Sequence, residues 1–394
     1  MMDGGYLENI MSKHHKMMFD DTLVITTNKE LMKDGRIEYV DPGIVYDGNN
    51  VKTIRLDISK YRLFKNTSAL DGLFLFQKIY DFLKIEKPDF IIAGGVGSLG
   101  NFPIARYVRK INPKCVVVCR SHATIENVDR KSHKIRRRIW NSIISLQNMY
   151  MIRYYKRIYG ILPNAIDYMV QNFGIPKEKT ALLPLGYDDF LIHFDRRDSI
   201  REQVRKIYGI SENSYLVVHG GKLSPEKKTL EFIQSIKELP ESFSAVIFGD
   251  FGAHIYGENV SNSYELKVRE EAEKDDLHKI VFTGALSQEE IYNLYLAADV
   301  AVFPGAPSCL RQEAVGAGLP IVMYVNPGDE GINININNNA YYLKGSWSVG
   351  ELSKAIVQIC SDNTYGIRAR ELANNEYKKY SYSNISFNII SDNL

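Results

Sequence analysis

The sequence predicts an α/β protein of two doubly wound, Rossmann-like parallel-sheet domains that face a cleft. Three observations carry this. The chain has 394 residues, and a domain usually takes roughly 100–200. Short apolar runs alternate with amphipathic helical patterns, as in parallel sheets covered on both faces. The series breaks once, in the polar stretch from Asp188 to Ser214, and restarts at Tyr215. The expected division is 1–190, 191–372, and a closing segment 373–394 that packs back toward the N-terminal domain.

The elements follow in order. Gly4-Gly5 comes almost at once, where a doubly wound domain would normally open on a strand. Tyr6 to Met18 reads as a helix with Leu7, Ile10 and Met11 on one face. Buried strands are predicted at LVIT (23–26), FIIA (90–93) and CVVVC (115–119). The second series is YLVVHGG (215–221), SAVIFGD (244–250), KIVFTG (279–284), ADVAVFPG (298–305) and LPIVMY (319–324). INININNN (332–339) alternates strictly and predicts a half-buried strand with Ile inward. Ligands of such sheets bind beyond the strand C-termini, so the expected site is the cleft between the domains.

Composition narrows the function classes. Apolar residues make up 45% and charged residues 24%, which excludes an intrinsically disordered chain. Lys+Arg 49 against Asp+Glu 47 leaves +2, so no global charge for a polyanion is present and no nucleic-acid partner is expected. No apolar run reaches the roughly 20 residues of a membrane span. The N-terminus lacks the pattern of a signal peptide. Four cysteines are too few for a disulfide framework, and Cys115 and Cys119 read as small core residues. The expected location is cytoplasmic.

Two segments carry chemistry. In HGGKLSPEKKTLEFIQSI (219–236) a strand runs into Gly220-Gly221, followed by Lys222, a Ser-Pro turn, and Lys227-Lys228 before a helix. Glycine admits a ligand close to the backbone, and two cations beside a helix start suit a diphosphate. Read alone, the segment is more simply a polar turn with solvated lysines. In VAVFPGAPSCLRQEAVGAGLPIV (300–322) a strand ends at Pro304-Gly305 and a loop through Ser308 and Cys309 enters a helix at about Leu310. Glu313 in its first turns could accept hydrogen bonds from a ribose diol. Read alone, it is more simply a carboxylate favoured by the helix macrodipole.

Together the two segments resemble the nucleotide-binding half of GT-B glycosyltransferases, specifically the retaining family 4 (glycosyl transferases group 1). Gly221-Lys222-Leu223 stands where that family has Gly-Arg-Leu, and Lys227 where it has its lysine. Phe282-Thr283-Gly284 matches its Phe-x-Gly. Glu313-Ala314, Gly318 and Pro320 match Glu-Ala-x-x-x-Gly-x-Pro. Gly4-Gly5 corresponds to the N-domain glycine turn, VITTN (24–28) to the following strand, and 177–188 to the interdomain element. The family carries a further acid, one that touches the transferred sugar, where this chain has Gly305. Lys222 in place of Arg keeps the charge but loses the planar fork.

The resemblance implies a two-domain, retaining, metal-independent transferase that uses a UDP- or GDP-sugar and no cofactor, acting on a glycan or lipid-linked acceptor in bacterial surface polysaccharide assembly. Lys222 and Lys227 would offset charge on the leaving diphosphate, and Glu313 would hold the ribose. Gly4, Gly5, Gly221, Thr283, Gly284, Ser308, Cys309 and Leu310 would line the donor site. His122, just past CVVVC, would face the sugar. The alternatives are a non-catalytic GT-B-like binding protein and a GT-B phosphorylase or epimerase. No Asp-x-Asp is present, and no histidine spacing beyond His14-His15 suits a metal.

Residues 130–157 hold nine Lys/Arg and no acid. Arg136, Arg137, Arg138 and Trp140, with Ile143 and Ile144, suggest a peripheral patch for an anionic membrane surface or a lipid acceptor. A solvated helix face is the plainer alternative.

Overall fold

The computed structural model describes residues 7–19, 21–31, 37–46, 50–60, 71, 74–121, 134–251, 262–325 and 334–394. Its N-terminal half opens on α1 (Leu7–Lys16). The strands β1 (Leu23–Thr27), β2 (Lys29–Leu31), β3 (Ile37–Tyr39), β4 (Gly43–Tyr46) and β5 (Lys52–Leu56) follow. Then come α2 (Phe76–Glu86), β6 (Phe90–Ala93), α3 (Asn101–Lys110), β7 (Val116–Ser121), α4 (Lys134–Met151), β8 (Arg157–Gly160), α5 (Pro163–Phe173) and β9 (Thr180–Leu182). Strands β6-β7-β8-β9 form one parallel sheet. Its neighbour has the order β1-β5-β4, where β4 runs antiparallel, and β2-β3 is an antiparallel hairpin. This half is thus less regular than the all-parallel expectation.

The C-terminal half runs α6 (Arg197–Tyr208), β10 (Tyr215–Gly220), α7 (Thr229–Ile236), β11 (Phe243–Phe248), α8 (Asn262–Glu273) and β12 (Lys279–Gly284). It continues with α9 (Gln288–Ala297), β13 (Val300–Phe303), α10 (Leu310–Gly316), β14 (Ile321–Tyr324), β15 (Ala340–Leu343), α11 (Val349–Ser361), α12 (Asn363–Asn374) and α13 (Tyr382–Ser391). One six-stranded parallel sheet has the order β12-β11-β10-β13-β14-β15. Side chains alternate across it with period two. Leu216, Val218, Val246, Ala301 and Ile321 face α9, while Val217, Ala245, Ile247, Val302 and Val322 face α7 and α11. Local chemistry sets the helix ends. Ser287 with Glu290, and Ser348 with Glu351, form capping boxes that start α9 and α11. Gly209 ends α6 in the left-handed region that glycine adopts without strain.

The strand order reverses between β10 and β13. Their C-terminal ends therefore open a crevice, which is where open α/β sheets bind ligands. That reversal places Gly220-Gly221 beside Pro304-Gly305.

Residues 334–339 do not form the expected strand. Asparagine side chains satisfy the backbone locally instead. Asn339 Oδ1 accepts from the amides of Ile336 and Asn337, and its Nδ2 donates to Ile334 O at 2.9 Å. Asn338 sits at φ 50°. Such self-bonding favours a turn over a ladder, so the strand begins only at Ala340.

Helix α13 packs against α1 on the β6–β9 sheet, through Ile10, Met11, Val118, Tyr159, Leu183, Tyr382, Ile385 and Ile389. The chain end crosses residues 186–187 closely. Tyr382 N donates to Tyr187 O at 2.9 Å, and a Cβ on Gly186 would stand 2.0 Å from Tyr380 O. Among the described residues no helix is long and apolar enough to cross a membrane.

Candidate functional site

The crevice is built from backbone that only glycine permits. Gly221 follows β10 at φ 115°, and Gly249 follows β11 at φ 109°. A Cβ on Gly249 would stand 1.9 Å from Gly221 O, so the two turns abut directly. Gly249 N donates to Gly284 O at 2.7 Å and Leu223 N to Asp250 O at 3.0 Å. Three successive strand ends are thereby laced together, and Thr283 and Gly284 join the same rim. Beside Gly284, at φ 72°, the space where a Cβ would sit is open.

The β13 loop closes on the turn Pro225–Lys227. A Cβ on Gly305 would stand 2.2 Å from Glu226 O, and Ala306 N donates to that carbonyl at 2.8 Å. Lys227 Nζ donates to Ala306 O at 3.0 Å and Pro307 O at 2.6 Å. Burial brings its ammonium down to about 8, and the Arg311 guanidinium adds to the effect. An ammonium has three donors, so two carbonyls leave one for a ligand. Lys222 is exposed on the same rim. Ser308 and Leu310 border Gly221: its hypothetical Cβ lies 3.9 Å from Ser308 Oγ and 3.2 Å from Leu310 Cδ1. Burial pushes the Cys309 thiol up to about 12, so that thiol stays protonated.

Glu313, in α10, is buried, and its Oε2 has no hydrogen-bond partner among the described residues. Burial pushes its carboxyl up to about 8, and the Asp188 carboxylate adds to this. A buried acceptor without a partner costs roughly 1–3 kcal/mol; a ligand hydroxyl would remove that cost. At the Gly305 position no acid stands, and Arg311 Nη2 donates to Gly305 O at 2.8 Å.

Lys222, Lys227, Gly221, Thr283, Gly284, Ser308, Cys309, Leu310 and Glu313 thus come to one crevice. Gly4, Gly5 and His122 lie outside the described residues. Arg138 and Trp140 are exposed on α4, and the side chains of Arg136 and Arg137 are outside the described ones. Ile144 does not join that surface. It is buried, with Cδ1 3.0 Å from where a Cβ on Gly97 would be.

Sequence reasoning missed Asp188. Its carboxylate takes hydrogen bonds from Lys13, from His14 Nε2 at 3.1 Å and from Phe190 N at 3.2 Å, and its amide donates to Tyr292 Oη at 2.7 Å. Burial alone would raise this carboxyl, but the His14 and Lys13 bonds hold it below the usual range. Helix α1, the interdomain segment, α9 and Glu313 therefore meet at one residue. His14, Asp188 and Asp189 also bring metal-ligand atoms within 4.8 Å of one another. Lys13 on Asp188, and Ser383 Oγ at 2.9 Å from His14 Nδ1, already engage two of these groups. The sequence signal was the match of 177–188 to the interdomain element, which gave Asp188 no role in the site; a contact across 174 residues leaves no local pattern.

Residues 200–379 match the family model described as glycosyl transferases group 1. An uncharacterised glycosyltransferase of Methanocaldococcus jannaschii is 27% identical over 54% of this chain and 53% of its own length. The chain thus spans about half the length of that relative. The UDP-Gal:alpha-D-GlcNAc-diphosphoundecaprenol alpha-1,3-galactosyltransferase of Escherichia coli is 23% identical over 79% of this chain and 76% of its own. Among solved structures, HepE of Anabaena in complex with UDP and glucose superposes with TM-score 0.69 at 16% identity, covering 99% of this chain and 96% of that one. At that identity the likeness shows the shared GT-B fold.

Proposed function

The C-terminal half of this chain belongs to glycosyl transferases group 1, and on that premise we propose that the protein moves a sugar from a nucleotide-sugar to a glycan or lipid-linked acceptor in surface polysaccharide assembly. The observation that carries the reading is the convergence of two glycine-turned loops on the Lys227 turn and the start of α10, the helix that holds the buried Glu313 carboxyl with its unpartnered Oε2. The donor is a UDP- or GDP-sugar, held with retention of anomeric configuration and without a metal. Lys222 and the remaining donor of Lys227 face the diphosphate, where fixed cations offset charge as it develops on the leaving group. Glu313 accepts from the ribose hydroxyls. Backbone at Gly221, Gly284 and Ser308–Leu310 lines the nucleotide, and Thr283 stands at its rim. His122 orients the sugar. The UDP bound to HepE and the UDP-Gal named for the Escherichia coli relative support the donor class. The diphosphoundecaprenol in that relative's name supports a lipid-linked acceptor, and α4 supports a peripheral location on the inner face of a membrane.

The test is a thermal-shift screen against UDP, GDP, ADP and CMP and their sugars. A ligand at about 100 times its Kd stabilises by about 2.7 kcal/mol. Stabilisation by UDP or GDP, and sugar release that survives excess EDTA, is the expected result. Loss of turnover on chelation, restored by magnesium or manganese, would overturn the metal-free part. The absence of an acid at Gly305 favours one second reading, a fold that binds the nucleotide without turnover. Binding with no transfer to any lipid-linked glycan would select it.

A further inference from the structure

Helix α4 carries an apolar stripe that is exposed from Ile139 to Leu146. Ile139, Ile143, Leu146 and Tyr150 stand at i, i+4, i+7 and i+11, within about 60° of one another on the helix wheel. Leu146 is 71% exposed and Met149 beside it 68%. The stripe runs into a groove of about 330 Å³ lined by Phe76, Phe102, Arg106, Arg109 and Tyr150. Tyr150 belongs to both features. Its ring lies 6.0 Å from that of Phe102, and the Arg153 guanidinium lies 5.0 Å above it.

The groove carries charge in a particular form. The Arg106 guanidinium lies over the Tyr80 ring, 4.2 Å from its centroid. Among the described residues, neither Arg106 nor Arg109 has a carboxylate within ion-pair distance; the charge of Arg106 reaches Asp81, which is itself paired with Lys84 at 2.8 Å. A planar guanidinium fork matches phosphate oxygens, and one resting on a ring loses little freedom on binding. Exposed apolar surface beside cations is the composition of an interfacial helix. Exposed Arg138 places a further cation at the other end of the stripe.

We propose that the groove between Arg106 and Arg109 holds the phosphate of an anionic phospholipid, while Ile139, Ile143, Leu146 and Met149 lie in the acyl boundary next to it. This deepens the membrane part of the function proposed above and rests on it. The groove makes the association selective for a phosphate headgroup, whereas the basic run at 136–138 adds attraction to any anionic surface. The groove is lined by side chains of α2, α3 and α4, none of which belongs to the nucleotide crevice. The lipid therefore holds the enzyme on the surface and takes no part in the transfer.

Two probes test this. The first is vesicles of phosphatidylcholine alone and of phosphatidylcholine with an equal share of phosphatidylglycerol. The second is dihexanoyl phosphatidylglycerol below its micelle concentration, with glycerol phosphate as the chain-free control. Wild type should prefer the mixed vesicles and bind the monomeric lipid more tightly than glycerol phosphate. Arg106→Gln/Arg109→Gln should bind mixed vesicles about thirty-fold more weakly, two cations near an anionic surface being lost, and should lose the monomeric lipid. Arg109→Gln alone, which removes no side-chain hydrogen bond or ion pair among the described residues, keeps the test valid if the double variant unfolds, as thermal unfolding would reveal. Arg136→Gln/Arg137→Gln/Arg138→Gln should weaken vesicle binding and keep the monomeric lipid. Monomer binding unchanged in the Arg106/Arg109 variant overturns the groove. So does wild type that binds mixed vesicles but not the monomer, and that result leaves the membrane reading standing. Equal affinity for glycerol phosphate and the short-chain lipid overturns the lipid assignment in favour of a soluble phosphate. No preference for mixed vesicles, with the monomer still bound, overturns the membrane reading and with it the docked arrangement.

Discussion

The two halves of the molecule solve different problems with the same αβ material. The C-terminal half is one six-stranded parallel sheet. Its loops are tied by glycines at Gly249 and Gly305, where a Cβ would meet backbone at 1.9 and 2.2 Å. The N-terminal half divides its strands among three sheets and leaves large apolar side chains of α4 in solvent. The first arrangement suits a ligand whose phosphates must meet donors in fixed positions, because preorganised groups need not rearrange when charge develops. The second suits a surface that adapts to its partner. The contrast teaches that rigidity here is local, concentrated where backbone touches backbone.

Four experiments break or sharpen that contrast, from the largest effect to the smallest. Gly249→Ala puts a methyl into Gly221 O at a positive φ, where strain and overpacking together cost about 2–5 kcal/mol. Denaturant unfolding should report that loss, and nucleotide binding should vanish with it. Unchanged stability would mean that the crevice is softer than its close contacts imply. Leu146→Asp is the counterpart in the other half. A carboxylate on the exposed stripe leaves stability within about 0.5 kcal/mol but should abolish binding to anionic vesicles. Intact vesicle binding in that variant would remove α4 from the membrane contact.

Lys227→Ala comes third. Losing one charged hydrogen bond to the diphosphate should weaken nucleotide binding by about 1.5–3 kcal/mol. In wild type, affinity should fall as pH rises through about 8, because burial and Arg311 bring the ammonium down to that value and the diphosphate requires its charged form. A flat affinity from pH 6 to 9 would assign Lys227 to holding Ala306 and Pro307 only.

The smallest effect on ligand binding concerns Glu313, whose carboxyl is raised by burial to about 8. A folded value above the unfolded one, about 4.3, means that this residue's contribution is intact below the unfolded value. It is lost progressively as pH rises toward 8. Glu313→Gln should therefore match wild type near pH 4 and unfold at a higher temperature than wild type at pH 8–9. Equal melting curves at both pH values would show that the carboxyl is solvated. In addition, the same change should weaken ribonucleotide binding by up to about 1–3 kcal/mol and hardly affect a nucleotide lacking the ribose 2′ and 3′ hydroxyls.

Much of this molecule is determined by the sequence alone. Every apolar run read as a strand from Leu23 to Tyr324 is one, and those of the C-terminal sheet at 215–220, 243–248 and 300–303 are buried as a parallel strand apolar on both faces requires; Leu23–Thr27, expected to be buried, is only half-buried. The glycine turn at 220–221, the lysine at 227 and the acid at 313 are legible because each depends on a few adjacent residues and the element that carries them. INININNN failed because alternation reports side-chain periodicity and is blind to asparagine bonding its own backbone. Ile143 and Ile144 are neighbours of equal hydrophobicity, yet one faces solvent and the other the core. Only the packing of α4 against Gly97 separates them. The tertiary structure alone decided that Asp188 joins Lys13, His14 and Tyr292 and adds to the raised carboxyl of Glu313. It also brought Arg106 and Arg109 to the end of the α4 stripe. Such contacts link residues tens to hundreds of positions apart. A sequence records periodicity and local bonding, whereas desolvation and charge pairing exist only once distant segments are packed together.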